Sequence, residues 1–194
     1  MNPLINKYPW LHLKDPYAEP DEEPTTFLDF LPRGWVKTFG AELCEDLDMA
    51  IKRAGIESEF KVDEAKEKYG ALSLCFGPTS KEVDDVERAY RAISETVCCN
   101  CGTIHGVKMI TRRWVSPYCR KCYAKTTQTP DYDYFDSLPT EELPTVVKWR
   151  QFGNEQTKHF ELDISETTKK IRENWEKKNK ESQFAEWEDN YNGA

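Results

Sequence analysis

The sequence has few of the residues that catalytic sites require. Only three of its 194 residues are histidines, and His12, His105 and His159 lie far apart along the chain. It contains no glycine-rich phosphate loop, and no serine or cysteine stands in a nucleophile-elbow sequence. A metal-dependent nuclease built around cysteine-bound zinc would also need histidines beside the metal. We therefore predict a protein that is not an enzyme.

Long apolar runs are missing as well. No segment approaches the ~20 consecutive apolar residues that cross a membrane. With 38% hydrophobic and 32% charged residues, the composition indicates one modest core and a large solvated surface. The N-terminal residues are aromatic and interrupted by proline, which is not typical of a signal peptide. We expect a cytoplasmic protein without a membrane partner, in which the seven cysteines stay reduced.

Four of the cysteines form two tight pairs, Cys98-x-x-Cys101 and Cys119-x-x-Cys122, separated by 17 residues. This spacing is typical of two short knuckles that together hold one tetrahedral Zn²⁺ ion. Four thiolates leave no open position on zinc, so the predicted site is structural. Cys99 could take the place of Cys98, but only Cys98 leaves two residues before Cys101.

Two other uses of these cysteines are an Fe–S cluster and a thiol redox pair. A redox pair requires a lowered thiolate pKa, often at the start of a helix, whereas Cys98 follows the end of one in the predicted structure. The thiol oxidoreductase is therefore disfavoured, and zinc is the predicted cofactor.

The net charge of −8 is distributed unevenly. Residues 98–125 carry six basic side chains and no acid, residues 126–145 carry five acids and no base, and residues 1–30 carry four more acids than bases. Aromatic residues lie between the basic ones, a pattern that can bind nucleic acid. The candidate contacts are Arg112, Arg113, Arg120 and Lys121. Alternatively, the acidic segment folds back and neutralises the basic one.

Composition and patterning divide the chain into five segments. Residues 1–30 are predicted to form an extended, acidic and proline-rich arm, and residues 31–97 an α+β core. Residues 98–125, the cysteine module, precede residues 126–145, the acidic linker. Residues 146–194 are predicted to form a mainly helical C-terminal extension.

The core is predicted to contain a helix, an antiparallel hairpin and a second helix. Apolar residues at three- and four-residue steps predict a helix over 33–54 that stops at Gly55. Alternating residues on both sides of Tyr69-Gly70 predict the hairpin. Thr79 with Glu82 predicts a capping box for the second helix, over 80–97.

In the cysteine module we predict two short strands, 107–110 and 113–115. The module would be a zinc ribbon, or treble-clef-like if Cys122 starts a helix. The class is therefore α+β with an attached four-cysteine module.

Asp163 and Glu166 predict the cap of another helix, whose apolar stripe includes Ile164, Thr168 and Ile171. Trp175 continues that stripe, whereas three later aromatic residues fall on a shifted phase, which predicts a break near residue 180. Four aromatics of this extension could pack on the parent domain, enter a partner's groove or pair with a second copy. They are Trp175, Phe184, Trp187 and Tyr191.

Three pieces of the sequence make the chain resemble an uncharacterised family of small bacteriophage, prophage and bacterial zinc-knuckle proteins. They are Gly34-Trp35, the strand–turn–strand segment 65–74 that reads AKEKYGALSL, and the segment 94–102 that ends in Cys-x-x-Cys-Gly. A second cysteine pair follows in the family, so the resemblance covers roughly residues 33–123. It implies the fold and the metal site but no activity.

We thus expect a non-enzymatic, zinc-stabilised binding protein of phage or mobile-element origin. Its acidic and aromatic appendages would engage a partner protein, with host or defence machinery as the class of target and inhibition as the mode of action. If a phage encodes it, it would work in the host cytoplasm. The alternative is a nucleic-acid-binding zinc module that uses the basic stretch.

Overall fold

The computed structural model describes residues 3–11, 25–112, 114–152 and 157–191, and beyond residue 180 it describes the backbone alone. Within these residues the fold combines helices with three antiparallel hairpins, so the predicted α+β class is confirmed. The helices are α1 (Pro3–Lys7), α2 (Arg33–Ala54), α3 (Lys81–Ser94), α4 (Arg120–Thr126), α5 (Tyr132–Ser137) and α6 (Ser165–Tyr191). The strands, paired β1–β2, β3–β4 and β5–β6, are β1 (Lys61–Lys68), β2 (Ala71–Gly77), β3 (Val107–Ile110), β4 (Ser116–Cys119), β5 (Val146–Phe152) and β6 (Thr157–Asp163).

Helix α2 forms the centre of the main core, and its predicted bounds are confirmed. Its apolar residues recur every three or four positions, so they form one stripe that is fully buried. The helix ends where Gly55 adopts a left-handed conformation with φ 66°, which glycine tolerates without strain. Five residues of the stripe have no exposed surface: Trp35, Phe39, Leu43, Leu47 and Ile51.

The hairpin β1–β2 and helix α3 cover this stripe, as predicted. Leu72 of β2 and Ile93 of α3 are fully buried in the same core. The cap of α3 differs from the prediction. Ser80, rather than Thr79, accepts the hydrogen bond from the Val83 amide, whereas the Thr79 hydroxyl donates to Asp84. Thr79 and Ser80 are adjacent and both have hydroxyl groups, so the backbone conformation before the helix determines which of them is the N-cap residue.

The predicted extended arm is wrong for residues 3–11 and for Phe27–Phe30, which is a 3-10 helix, whereas residues 12–24 of the arm lie outside the described residues. Residues 3–11 form α1 and a 3-10 turn at Pro9–Leu11, and Tyr8 and Leu11 are buried in the main core. Trp10 lies against Phe27 and Phe60, and its indole N–H donates to Asp48. Burial of these apolar side chains holds the segment against the core despite its prolines.

The C-terminal extension contains a hairpin that was not predicted. Val147 and Leu162 of β5–β6 pack against the core, and Trp149 stacks on Phe160 with 5.4 Å between ring centroids. The Arg88 guanidinium of α3 lies 4.7 Å from the Trp149 ring. Apolar residues at alternate positions, 147 and 149 in one strand and 160 and 162 in the other, are the sequence signal that could have predicted this hairpin.

Helix α6 packs along α2, and its predicted core stripe is confirmed. Ile164, Thr168 and Ile171 are buried. Lys170 forms an ion pair with Glu45 at 2.7 Å, and Asn174 donates to the buried Glu42 carboxylate at 2.8 Å. The predicted break near residue 180 is wrong, because the helix continues to Tyr191. The segment 176–183 has no glycine or proline, so nothing in it interrupts the helix.

None of the helices in the described part of the chain combines the length and apolar character that crossing a membrane requires.

The first turn of α2 lies directly against the backbone of the first cysteine knuckle, residues 98–102. The Gly34 amide donates to the Cys99 carbonyl, the Trp35 indole to the Val97 carbonyl and the Thr38 hydroxyl to the Gly102 carbonyl. A Cβ at Gly34 would stand 2.2 Å from the Cys98 carbonyl oxygen, and one at Gly102 would stand 2.6 Å from the Gly34 carbonyl oxygen. Glycine at both positions is therefore a condition of this contact.

We predict that Gly34→Ala and Gly102→Ala each lower the free energy of unfolding by about 2–3 kcal/mol or more, because backbone atoms must move apart. Gly106→Ala is the matched control. Gly106 also has a positive φ, 61°, but a Cβ there meets nothing within 4 Å. Its cost should be only the backbone strain, about 1 kcal/mol. Urea unfolding of the metal-loaded protein measures all three, and equal losses for Gly34→Ala and Gly106→Ala would contradict the prediction.

Candidate metal centre

The structure brings the four predicted ligands together. The sulfur atoms of Cys98, Cys101, Cys119 and Cys122 all lie within 4.8 Å of one another. The Cys101 and Cys119 sulfurs are 3.7 Å apart. Zn–S bonds of ≈ 2.3 Å in a tetrahedron place sulfurs roughly 3.8 Å apart, whereas a disulfide needs about 2.05 Å. The cluster therefore has the dimensions of a tetrahedral thiolate site, and all of its members except Cys101 are buried.

The first knuckle is a tight turn that positions Cys98 and Cys101. The Gly102 amide donates to the Cys98 carbonyl, and the Cys98 amide donates to the Thr103 carbonyl, both at 2.9 Å. Gly102 has φ 82°, a conformation that glycine adopts without steric cost. The sequence pattern Cys-x-x-Cys-Gly thus reflects a turn that only glycine closes easily.

The second knuckle lies where a strand passes into a helix. Cys119 ends β4 and is the N-cap of α4, and Cys122 lies in the first turn of that helix. A knuckle, a hairpin and a helix that carries the last ligand make the module treble-clef-like rather than a ribbon.

The second predicted strand of the module, 113–115, is displaced in the structure. Its partner strand β3 has the predicted bounds, but β4 comprises Ser116–Cys119, with Val107 opposite Cys119. Trp114 and Val115 belong to the connecting loop, and Arg113 lies outside the described residues. The apolar residues Trp114 and Val115 of that loop led to the wrong strand prediction. The pairing register is set by the need to bring Cys119 beside the first knuckle.

Cys99 is excluded from the cluster by its direction. Its amide donates to the Pro117 carbonyl, and its side chain is part of the main core rather than of the metal cluster. Burial raises the pKa of the Cys99 thiol to about 12. Cys99 is therefore an inert, buried thiol, and the preference for Cys98 as ligand agrees with the structure.

Burial and hydrogen bonding shift the thiol pKa values of the cluster in opposite directions. Burial opposes ionisation of Cys98, but hydrogen bonds from the backbone amides of Cys101, Cys119 and Asn100 outweigh it and place the pKa of Cys98 below its ordinary value. Burial, together with the neighbouring sulfurs, raises the pKa of Cys101 to about 11, and burial also raises the pKa of Cys122. A bound metal ion would supply the compensating charge and displace these thiol protons.

The acidic linker folds back over the basic side of the cysteine module. Arg112 pairs with Asp131 at 2.7 Å, and Arg120 pairs with Asp136 at 3.1 Å. Lys108 donates to two linker carbonyls, those of Asp136 and Leu138. The tyrosines of α5 take part too, since the Arg112 guanidinium lies 3.8 Å from the Tyr134 ring and the Arg120 guanidinium 4.3 Å from the Tyr132 ring.

An apolar contact anchors the linker beneath these ion pairs. Phe135 of α5 is 1% exposed and stacks on Tyr123 of α4, with 5.1 Å between ring centroids. Ile110 of β3 completes this small second core. Exposed ion pairs contribute little to stability, so we attribute the docking of the linker chiefly to Phe135.

The remaining candidate residues are dispersed. Lys121 is exposed on α4. Trp175 is half-buried against the core, and His105 meets its ring edge-on at 4.8 Å, away from the metal cluster. The side chains of Phe184, Trp187 and Tyr191 lie outside the described residues, although their backbone belongs to α6.

Single substitutions of Cys98 and Cys99 should show which of the two is the metal ligand. We predict that Cys98→Ser weakens metal binding more than about 100-fold, because even loss of a group that supports a ligand costs 10–100-fold. Cys99→Ser should keep one metal ion per chain. Metal content by mass spectrometry and competition with a chelator measure both variants. Metal loss in Cys99→Ser with retention in Cys98→Ser would reverse the ligand assignment.

Phe135→Ala should lower the free energy of unfolding by about 3–5 kcal/mol, because it empties a buried aromatic site. Tyr132→Ala, on the same helix but 37% exposed, should lower it by only about 1 kcal/mol, the contribution of its exposed contact with Arg120. Asp136→Asn tests the ion pair, and we expect a small effect that added salt removes. Chemical unfolding at two salt concentrations measures these variants, and a larger loss in Asp136→Asn than in Phe135→Ala would show that charge holds the linker.

Comparisons with protein-family models, with curated proteins and with solved structures find no match. The resemblance to the phage zinc-knuckle family therefore stays a prediction that rests on the sequence motifs. The site is defined by its own geometry, a four-cysteine cluster that could hold a metal ion.

Proposed function

We propose that the chain is a non-catalytic binding protein, stabilised by zinc, that recognises a partner protein through helix α6. Support for zinc comes from the donor set, since four soft thiolates at tetrahedral spacing suit Zn²⁺. Support for a structural role is that four thiolates fill the coordination shell and leave no position for a reacting water.

The observation that carries the partner proposal is the continuity of α6. Phe184 follows Trp175 by nine residues, which is about two and a half turns of an α-helix. In an unbroken helix, position 184 therefore lies on the face opposite Trp175. Positions 187 and 191 follow at steps of three and four and share the face of position 184. Trp175 and Ile171 already direct the other face to α2.

A helix that carries three aromatic residues at positions of one face matches a common mode of recognition, in which an amphipathic helix enters a partner's groove. Tryptophan and tyrosine are also the residues that most often dominate binding energy. The resemblance to phage proteins is the ground for proposing host or defence machinery as the partner and the host cytoplasm as the place. A second copy of the chain is another occupant that the same face could accept.

The docked linker supports protein binding over nucleic-acid binding at the basic stretch. Arg112 and Arg120, two of the four candidate phosphate contacts, are paired with linker carboxylates. A phosphate backbone would have to displace both carboxylates to reach them. The linker itself is also committed within the chain, so of the appendages that the structure describes we propose α6 as the one that reaches a partner.

The test uses the triple variant Phe184→Ala, Trp187→Ala, Tyr191→Ala. The matched control is Gln183→Ala, Glu186→Ala, Asn190→Ala, which has the same spacing one residue earlier and so a different face of the helix. Proteins captured from host cells by the zinc-loaded wild type are identified, purified and retested. We expect the aromatic variant to bind at least about 100-fold more weakly, as loss of several hot-spot residues implies. The control should bind like the wild type.

Light scattering on the same three proteins tests self-association. A dimer that only the aromatic variant loses would identify a second copy as the occupant. Circular dichroism should show equal helix content in all three proteins. Retained binding of the purified partner by the aromatic variant would refute the proposal.

A further inference from the structure

Cys101 differs from the other three members of the metal cluster in its exposure to solvent. Cys98, Cys119 and Cys122 are buried, whereas Cys101 is exposed. A cysteine that binds a metal does so as a thiolate, which is also its nucleophilic form. The susceptibility of a cysteine to oxidants follows its thiolate character together with its exposure. Cys101 is therefore the ligand that a dissolved oxidant reaches first.

A second sulfur atom lies beside that of Cys101. The sulfurs of Cys101 and Cys119 are 3.7 Å apart, and a disulfide would bring them to about 2.05 Å. The two residues belong to different knuckles, since Cys101 lies in the first and Cys119 ends β4. An exposed cysteine with a second cysteine next to it is the usual arrangement of a cysteine that oxidants modify reversibly.

We infer that Cys101 is a site of oxidation by peroxides, that Cys119 completes the disulfide, and that this reaction releases the metal ion. The inference rests on the zinc site of the proposed function and adds a means of regulating it. In the first step the Cys101 thiolate attacks one oxygen of hydrogen peroxide, the O–O bond breaks and hydroxide leaves, so the sulfur becomes a sulfenic acid. In the second step the Cys119 thiolate attacks this sulfur, a second hydroxide leaves and the disulfide forms. The two sulfurs together lose the two electrons that the peroxide gains.

The disulfide removes two of the four metal ligands. Only Cys98 and Cys122 remain, and two thiolates do not complete the four-coordinate shell of a structural zinc site. The new bond also displaces the first knuckle, which is held against α2 by two contacts. The Thr38 hydroxyl donates to the Gly102 carbonyl at 2.6 Å, and the Arg33 guanidinium donates to the Asn100 side chain at 2.8 Å. The start of α2 therefore responds to the state of the cluster.

Helix α6 docks on the same part of α2 and on the loop after the first knuckle. The Lys178 ammonium donates to the Lys37 carbonyl at 3.4 Å, and the His105 ring meets the Trp175 ring at 4.8 Å. The interface between α2 and α6 also buries Glu42, and its Oε2 atom has no hydrogen-bond partner among the described residues. A buried oxygen without a partner costs stability, so this interface opens more easily than a fully paired one. We expect oxidation of the cluster to loosen the docking of α6.

Zinc release from the zinc-loaded full chain, followed with a zinc-binding dye after addition of hydrogen peroxide, provides the test. The wild type should lose its zinc, and peptide mapping by mass spectrometry should find a disulfide between Cys101 and Cys119. Cys101→His should bind zinc and keep it in peroxide, because three cysteines and one histidine form a common structural site and the exposed sulfur is gone. Cys122→His, the matched control, replaces a buried ligand in the same way and should release zinc like the wild type.

Hydrogen exchange measures the effect on α6. Backbone amides of residues 170–178 should exchange faster after peroxide treatment of the wild type, and no faster after treatment of Cys101→His. Dithiothreitol with added zinc should restore both the metal content and the slow exchange, because a disulfide is reduced by thiol exchange. Unchanged exchange over residues 170–178 would refute the link to α6.

Three results would overturn the inference. They are retention of zinc by the wild type in peroxide, a disulfide that lacks Cys101 or Cys119, and resistance of Cys122→His equal to that of Cys101→His. Disulfide mapping needs only the wild type, so it gives an answer even where a variant does not bind zinc. A purified wild type that binds no zinc would instead refute the zinc site of the proposed function.

Discussion

The structure depends most on the close approach of two backbones, that of the first turn of α2 and that of the first cysteine knuckle. Gly34 and Gly102 allow this approach because any side chain at either position would overlap the opposite strand of backbone. Two hydrogen bonds then connect the knuckle to Gly34 and Thr38, and a third joins the Trp35 indole to Val97, the residue before the knuckle. Since Trp35 is also at the centre of the main core, a metal ion bound by the cysteines would couple its binding to the folding of the core. A cation that orders the knuckle would also stabilise the start of α2.

The cysteine module connects parts of the chain that are distant in sequence. Its hairpin carries the tip that meets Glu67 and Gly70 of the core hairpin, and its helix α4 carries Tyr123, on which Phe135 of the linker stacks. Two of the six basic side chains of the module, Arg112 and Arg120, form ion pairs with linker carboxylates, and Lys108 donates to linker carbonyls. The linker thus neutralises part of the module's charge within the chain.

Predictions that rested on local repetition agreed with the structure. Helix α2, the Tyr69-Gly70 hairpin, the face of α3 and the four-cysteine cluster all follow from spacings of two to four residues, which backbone geometry translates directly into shared faces. Predictions that depended on contacts with residues distant in sequence did not agree with the structure. The prolines of residues 3–11 predict an extended segment, yet Tyr8 and Leu11 are buried in the core. The strand at 113–115 moved to Ser116–Cys119 because its register depends on the cysteine pairing across the module.

The sequence by itself determined which residues could bind a metal and which faces of the helices are apolar, because both are properties of short segments. The spacing to Cys101 favoured Cys98 over Cys99, and the tertiary structure supplied the physical reason, because the Cys98 sulfur lies in the cluster whereas Cys99 is part of the main core. Only the tertiary structure decided that the acidic linker covers the basic module, because contacts across tens of residues, such as Arg112–Asp131, leave no trace in spacing. The same holds for the aromatic pair at Tyr69 and Trp114. Only the meeting of two hairpins brings the Trp114 indole to the Glu67 carboxylate, which also accepts from the Gly70 amide of the Tyr69-Gly70 turn.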